Sequence, residues 1–77
     1  MSIHIRYFAG LRERMGRAED SVAPQDARTV AEVWARVAGG RPLPVNTLVA
    51  VNMEYSDLHG PVRDGDEVAF FPPVTGG

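Results

Sequence analysis

The 77-residue sequence contains no cysteine and no lysine; its eight basic residues are all arginine, set against ten acids for a formal net charge of −2. Without cysteine there is no disulfide, no zinc-thiolate site and no thiol nucleophile. Without lysine there is no amine for a Schiff base. Imidazoles are scarce as well. His4 and His59 show neither HxxxH nor HExxH spacing, so no metal site and no acid–base role is expected of them. An acidic chain with no dense basic stripe does not suit nucleic acid. No run approaches the roughly 20 apolar residues of a membrane span, so no membrane partner is expected. The opening MSIHIRYFAGLRER alternates apolar and polar residues and lacks the apolar stretch of a secretory signal, which points to a cytoplasmic protein.

What is present describes an ordinary globular domain. Hydrophobic residues make up 44% and charged residues 23%, too apolar for a disordered chain. This length gives one domain, residues 1–77, that buries only about 60% of its unfolded surface, so a core without covalent staples has to be efficiently packed. Charge is uneven along the chain: residues 1–17 carry four arginines against Glu13, and residues 54–67 carry five acids against Arg63. The acidic end favours a basic partner surface.

Periodicity gives the elements. Ile3, Ile5 and Tyr7 alternate with Ser2, His4 and Arg6, the pattern of a half-buried strand. Ala9 to Met15 reads as a short helical turn closed by Gly16, and residues 18–23 as a weaker strand stopped by Pro24. Thr29 followed by Glu32 forms a capping box, after which Val30, Val33, Trp34, Val37 and Ala38 line one face of a helix ended by Gly39 and Gly40. Leu48 to Asn52 is a short valine-rich strand, central or well covered. Residues 53–66 hold turn signals, and Glu67 to Phe71 is the last strand, ended by Pro72 and Pro73. The order strand, strand, helix, strand, strand predicts an α+β fold with the helix on one sheet face. The simplest closure is the ubiquitin-like β-grasp: a mixed sheet with the first and last strands parallel and adjacent in the middle.

Few groups carry chemistry. Asp64, Asp66 and Glu67 lack the twelve-residue calcium-loop pattern and read as a tight turn. Gly39-Gly40 has no phosphate-loop pattern and reads as a helix stop. The exception is the terminal FFPPVTGG. Pro72 and Pro73 stiffen the exit from the sheet, and six residues at about 3.1 Å each carry the terminal carboxylate roughly 19 Å into a narrow channel. Gly76 and Gly77 leave that tip without side chains, so the backbone can approach closely and a partner enzyme can activate the carboxylate. Residues 72–77 are thus expected to form an extended flexible tail.

The last strand is also apolar on both faces. Val68 and Phe70 share one face, Ala69 and Phe71 the other, yet a single helix is available to cover them. Phe8, opposite in parity to Ile3, Ile5 and Tyr7, falls on the uncovered face beside Phe71, with Tyr55 at its edge. Either the turns at 9–15 or 53–62 cover these rings, or they form an exposed apolar patch of the kind that marks a protein interface.

With those residues in view, the chain resembles the small sulfur-carrier subunits of molybdopterin synthase. The likeness runs through IRYFAGLRERMG at 5–16, TVAEVWA at 29–35, VAVNMEY at 49–55 and, most specifically, DGDEVAFFPPVTGG at 64–77. It departs at 39–47, where relatives often carry a longer loop. The resemblance implies a β-grasp carrier whose Gly77 is adenylated with ATP by a partner activating enzyme and converted to a thiocarboxylate. The tail then enters the large synthase subunit and gives its sulfur to cyclic pyranopterin monophosphate. On this basis Gly77 bears the sulfur. Gly76, Thr75, Val74, Pro73 and Pro72 provide reach, and Phe8, Tyr55 and Phe71 dock partners. No cofactor is bound by the chain itself, since ATP is used by the partner. Two alternatives stay open: a carrier serving thiamine thiazole, tRNA or cysteine sulfuration, and a non-catalytic ubiquitin-like binding module.

Overall fold

The computed structural model describes residues 1–73. Five strands form one mixed sheet: β1 (Ile3–Tyr7), β2 (Glu19–Val22), β3 (Leu48–Val51), β4 (Glu54–Ser56) and β5 (Glu67–Phe71), in the order β2-β1-β5-β3-β4. β1 and β5 run parallel at the centre, with Ile5 opposite Val68 and Tyr7 opposite Phe70; every other pairing is antiparallel. Among the described residues two helices accompany the sheet, α1 (Gly10–Met15) and α2 (Val30–Val37), along with a 3₁₀ turn at Pro24–Asp26. This is the β-grasp arrangement that the periodicity predicts.

One correction concerns strand number. β4 lies inside a segment that reads as turns, and it is only three residues long. It exists through its pairing with β3, Val49 opposite Ser56 and Val51 opposite Glu54, across a two-residue turn at Asn52 and Met53. Both turn residues have positive φ, 52° and 68°, the geometry that matches strand twist in a tight hairpin.

The period-two pattern of β1 puts Ile3, Ile5 and Tyr7 into the core with Val68 and Phe70 of β5 and Val49 of β3. Val30, Val33 and Trp34 of α2 close over them, and α1 adds Leu11 and Met15. Phe70 is at the centre, completely buried, 5.2 Å from the Trp34 ring and 6.3 Å from the Tyr7 ring, centroid to centroid. Such pairs add about 0.5–1.5 kcal/mol beyond the area they bury. The Trp34 indole N–H donates to the Arg41 carbonyl at 2.9 Å, so the largest core side chain leaves no polar atom unpaired.

The start of α2 shows how local sequence sets its geometry. Thr29 Oγ1 accepts from the Glu32 N–H at 3.2 Å, as a capping box requires. The reciprocal bond is displaced by one residue, however: Glu32 Oε1 accepts from the Arg28 N–H at 2.7 Å rather than from Thr29. The next two free donors, Val30 N–H and Ala31 N–H, go to the carbonyls of Gly60 and Leu58. The loop after β4 thereby caps the helix. Within that loop Gly60 packs closely on its own chain, where a Cβ would collide with Ser56 Oγ and lie 3.1 Å from the Asp57 carbonyl.

A polar clasp joins the far ends of both helices to the sheet. Arg17 donates through Nε to Asp20, through Nη1 to the Met15 carbonyl at 3.1 Å and through Nη2 to the Val37 carbonyl at 2.8 Å. The Tyr7 hydroxyl donates to the same Asp20 carboxylate at 3.2 Å. Burial first, and then the negative charge of Asp20, push the Tyr7 phenol well above the usual tyrosine range; the Arg17 guanidinium opposes them only in part. The consequence is alkaline sensitivity. Unfolded Tyr7 releases its proton near pH 10 while the folded state retains it, so above about pH 10 the folded state binds more protons and stability falls with rising pH. Below that value this group contributes no slope. Denaturant midpoints from about pH 9 to about pH 11 check the effect. Tyr7→Phe should remove this contribution.

Candidate functional site

Among the described residues, no helix covers the second face of the sheet. Leu11 and Met15 take α1 onto the helix side, so residues 9–15 leave the open face bare. On that face the strand register sets Phe71 opposite Leu48, and Ala50 between Ala69 and Tyr55. The Tyr55 and Phe71 rings lie 6.1 Å apart, tilted by 45°. Residues 53–62 therefore contribute to the patch through Tyr55 instead of burying it. Phe8 follows Tyr7, whose partner is Phe70, and so comes level with Phe71; its N–H donates to the Phe70 carbonyl at 3.1 Å. The Arg6 guanidinium sits over the Phe8 ring, 5.4 Å from its centroid.

Tyr55 is 76% exposed and Phe8 42%, while Phe71 is half-buried. Three aromatic side chains thus share one open face with Leu48, Ala50 and Ala69. Apolar surface gathered on one face in this way makes these side chains candidates for a contact surface. Leu48 was not singled out from the sequence. Counting parity back from Val49, a core residue, would have placed it on the open face.

The patch lies at the end of the sheet where the chain leaves. β5 ends at Phe71; Pro72 is half-buried and Pro73 exposed. Neither proline can donate to a ladder, so pairing stops there. Val74, Thr75, Gly76 and Gly77 lie outside the described residues. The structure therefore brings together Phe8, Tyr55, Phe71 and the start of the exit segment.

Among the described residues the polar side chains lie at least partly at the surface. No polar or charged residue is buried, and no buried side-chain donor or acceptor lacks a partner. No three histidine, aspartate or glutamate side chains converge as metal ligands, and no helix is long and apolar enough to cross a membrane. His4 is exposed on the open face opposite Glu67, and His59 sits in the loop that caps α2. The acidic turn is a structural clasp: Asp66 accepts from Asn52 Nδ2 at 2.9 Å and from the Arg63 N–H at 2.8 Å, tying the β3–β4 hairpin to the approach to β5.

Comparison with known proteins supplies the relationship that this geometry leaves open. Molybdopterin synthase sulfur carrier subunits from Haemophilus influenzae and Escherichia coli are 38% and 37% identical to the chain, each match covering 97% of it and 99% of the relative. Among solved structures, SAMP1 from Haloferax volcanii superposes with a TM-score of 0.82 at 28% identity, covering all of both chains. The complex of subunits 1 and 2 of molybdopterin-converting factor from Helicobacter pylori contains a chain of the same fold, with a TM-score of 0.70 at 23% identity over the full length of both. Residues 5–77 match the ThiS family, and the chain belongs to that family.

Proposed function

We propose that the protein is the sulfur carrier of molybdopterin synthesis, with Gly77 as the atom-bearing end. A partner enzyme adenylates the Gly77 carboxylate with ATP, which replaces a poor leaving group by AMP. Hydrosulfide attacks the acyl carbon, the bond to the phosphate oxygen breaks and AMP leaves, giving a thiocarboxylate, a soft nucleophile at neutral pH. The large synthase subunit receives the tail, and sulfur passes to cyclic pyranopterin monophosphate to build the dithiolene. Gly76 lets the backbone approach the partner closely. Pro72, Pro73, Val74 and Thr75 span the distance from the sheet.

The observation that carries this function is the position of Phe8, Tyr55 and Phe71 on one open face at the end of the sheet from which the tail departs. A partner seated on these rings has the tail within reach. A body without buried polar groups agrees with chemistry performed at a chain end in another protein's site. The Haemophilus and Escherichia relatives, both named as molybdopterin synthase sulfur carrier subunits, support the pathway. SAMP1 is a small archaeal modifier protein by name, and its likeness supports a second outcome, transfer of the activated carbonyl to an acceptor amine.

Co-expression with the activating enzyme, followed by intact mass spectrometry, separates these outcomes. A carrier shows replacement of one oxygen by sulfur at the terminus. A modifier shows amide-linked adducts on other chains. An unchanged mass with ATP and a sulfur donor supplied would sink both.

A further inference from the structure

The turn between Phe8 and α1 contains a conformation that its sequence does not favour. Ala9 has φ 52° and ψ −128°. The Leu11 N–H donates to the Phe8 carbonyl at 3.1 Å, closing a tight turn with Ala9 as its first central residue. Turns of this shape place glycine there, because an L-side chain at positive φ crowds its own backbone. A non-glycine residue in such a region is strained. Glycine is available next door and its freedom is not used: Gly10 has no positive φ, and a Cβ there would meet nothing within 4 Å. Nor does burial compensate, since Ala9 is exposed.

The strained residue adjoins one of the three aromatic side chains of the open face. The Phe8 N–H is fixed by the Phe70 carbonyl and the Phe8 carbonyl by the Leu11 N–H, so both backbone groups are anchored, one to the sheet and one to the turn. Arg6 stacks over the ring. Alanine at position 9 narrows the backbone basin of this turn, whereas glycine would open several others and let Phe8 sample them. An aromatic side chain ordered before docking loses less freedom on binding.

We infer that Ala9 is a positioning residue: its strained turn holds Phe8 in docking geometry on the open sheet face, at the expense of fold stability. This rests on the docking role given above to Phe8 and Phe71.

The test uses the full chain and the purified large subunit of molybdopterin synthase from the same organism. Ala9→Gly removes the strain, so Tm should rise by about 5 °C for a domain of this size, even after the entropy glycine adds to the unfolded chain. Kd for the large subunit should nevertheless rise about 5-fold, and amide order parameters over Phe8 to Leu11 should fall. A synthetic chain with Ala9→D-Ala, which prefers positive φ but stays restricted, should keep the higher Tm and restore wild-type Kd. Phe8→Ala and Phe71→Ala serve as controls and should each weaken binding. If both controls weaken binding and Ala9→Gly does not, the positioning role is wrong while the docking face stands. A lower Tm in Ala9→Gly would also overturn it, by showing no strain to release. If neither control weakens binding, the docking face itself is wrong and the inference falls with it.

Discussion

Deleting Gly77, or adding one residue after it, is expected to abolish sulfur transfer to the pterin while leaving thermal unfolding unchanged. The two halves of that result have different physical origins. Under the proposed function the carboxylate has to reach a fixed point in the partner's site, and one residue of extended chain would move it by about 3 Å, enough to take it out of any attacking geometry. Stability, by contrast, is set upstream. Among the described residues the last that is fully buried is Phe70, and the ladder ends at Phe71, before Pro72 and Pro73. Product formation with the large subunit present, together with a melting curve for each variant, checks both halves. Pterin sulfuration that survived either change would remove Gly77 from the mechanism, whatever the fold did.

Phe70→Ala and Phe71→Ala should behave in opposite ways although the residues are neighbours. Phe70 is completely buried between Tyr7 and Trp34, and removing its ring leaves a void that the flanking aromatic rings cannot fill. The expected loss is about 3–5 kcal/mol, most of what a small domain has, so the variant should lack a cooperative transition at physiological temperature. Phe71, on the other side of the same strand, is half-buried against Tyr55 and opposite Leu48. Its truncation should lower stability by less than about 1.5 kcal/mol and raise Kd for the large subunit by about tenfold or more, the behaviour of a docking residue. Denaturant melts and titration calorimetry on both variants distinguish the faces. A large stability loss with unchanged binding in Phe71→Ala would move that ring into the core.

Much of this contrast can be read from the sequence, because strand parity is rigid. Once Ile3, Ile5 and Tyr7 are assigned inward, the parallel pairing with β5 sets Phe70 inward and Phe71 outward. The capping signal at Thr29 and the 3.6-residue spacing of Val30, Val33, Trp34 and Val37 fix α2 in the same way. Less regular features were not legible. β4 is too short to show a period, and its hairpin lacks the Asn-Gly signature, since Met53 stands where glycine is usual. The Arg17 clasp joins residues 3 and 20 positions apart, which no local pattern encodes. Ala9 reads as a helix start, whereas the helix begins at Gly10 and Ala9 is the strained residue before it. That strain depends on where the chain must go next, information held by the tertiary fold and not by the neighbouring residues.

The central position of β5 has a mechanical consequence. The exit segment continues the middle strand of the sheet, hydrogen-bonded parallel to β1 on one side and antiparallel to β3 on the other. A pull on the tail along the strand direction therefore loads both ladders in shear, with many bonds sharing the force at once, where an edge strand would peel one bond at a time. Under the proposed function, a tail that visits one partner and is then withdrawn to enter another would place that load on the sheet in each cycle. The same pairing that buries Phe70 anchors the tail against it.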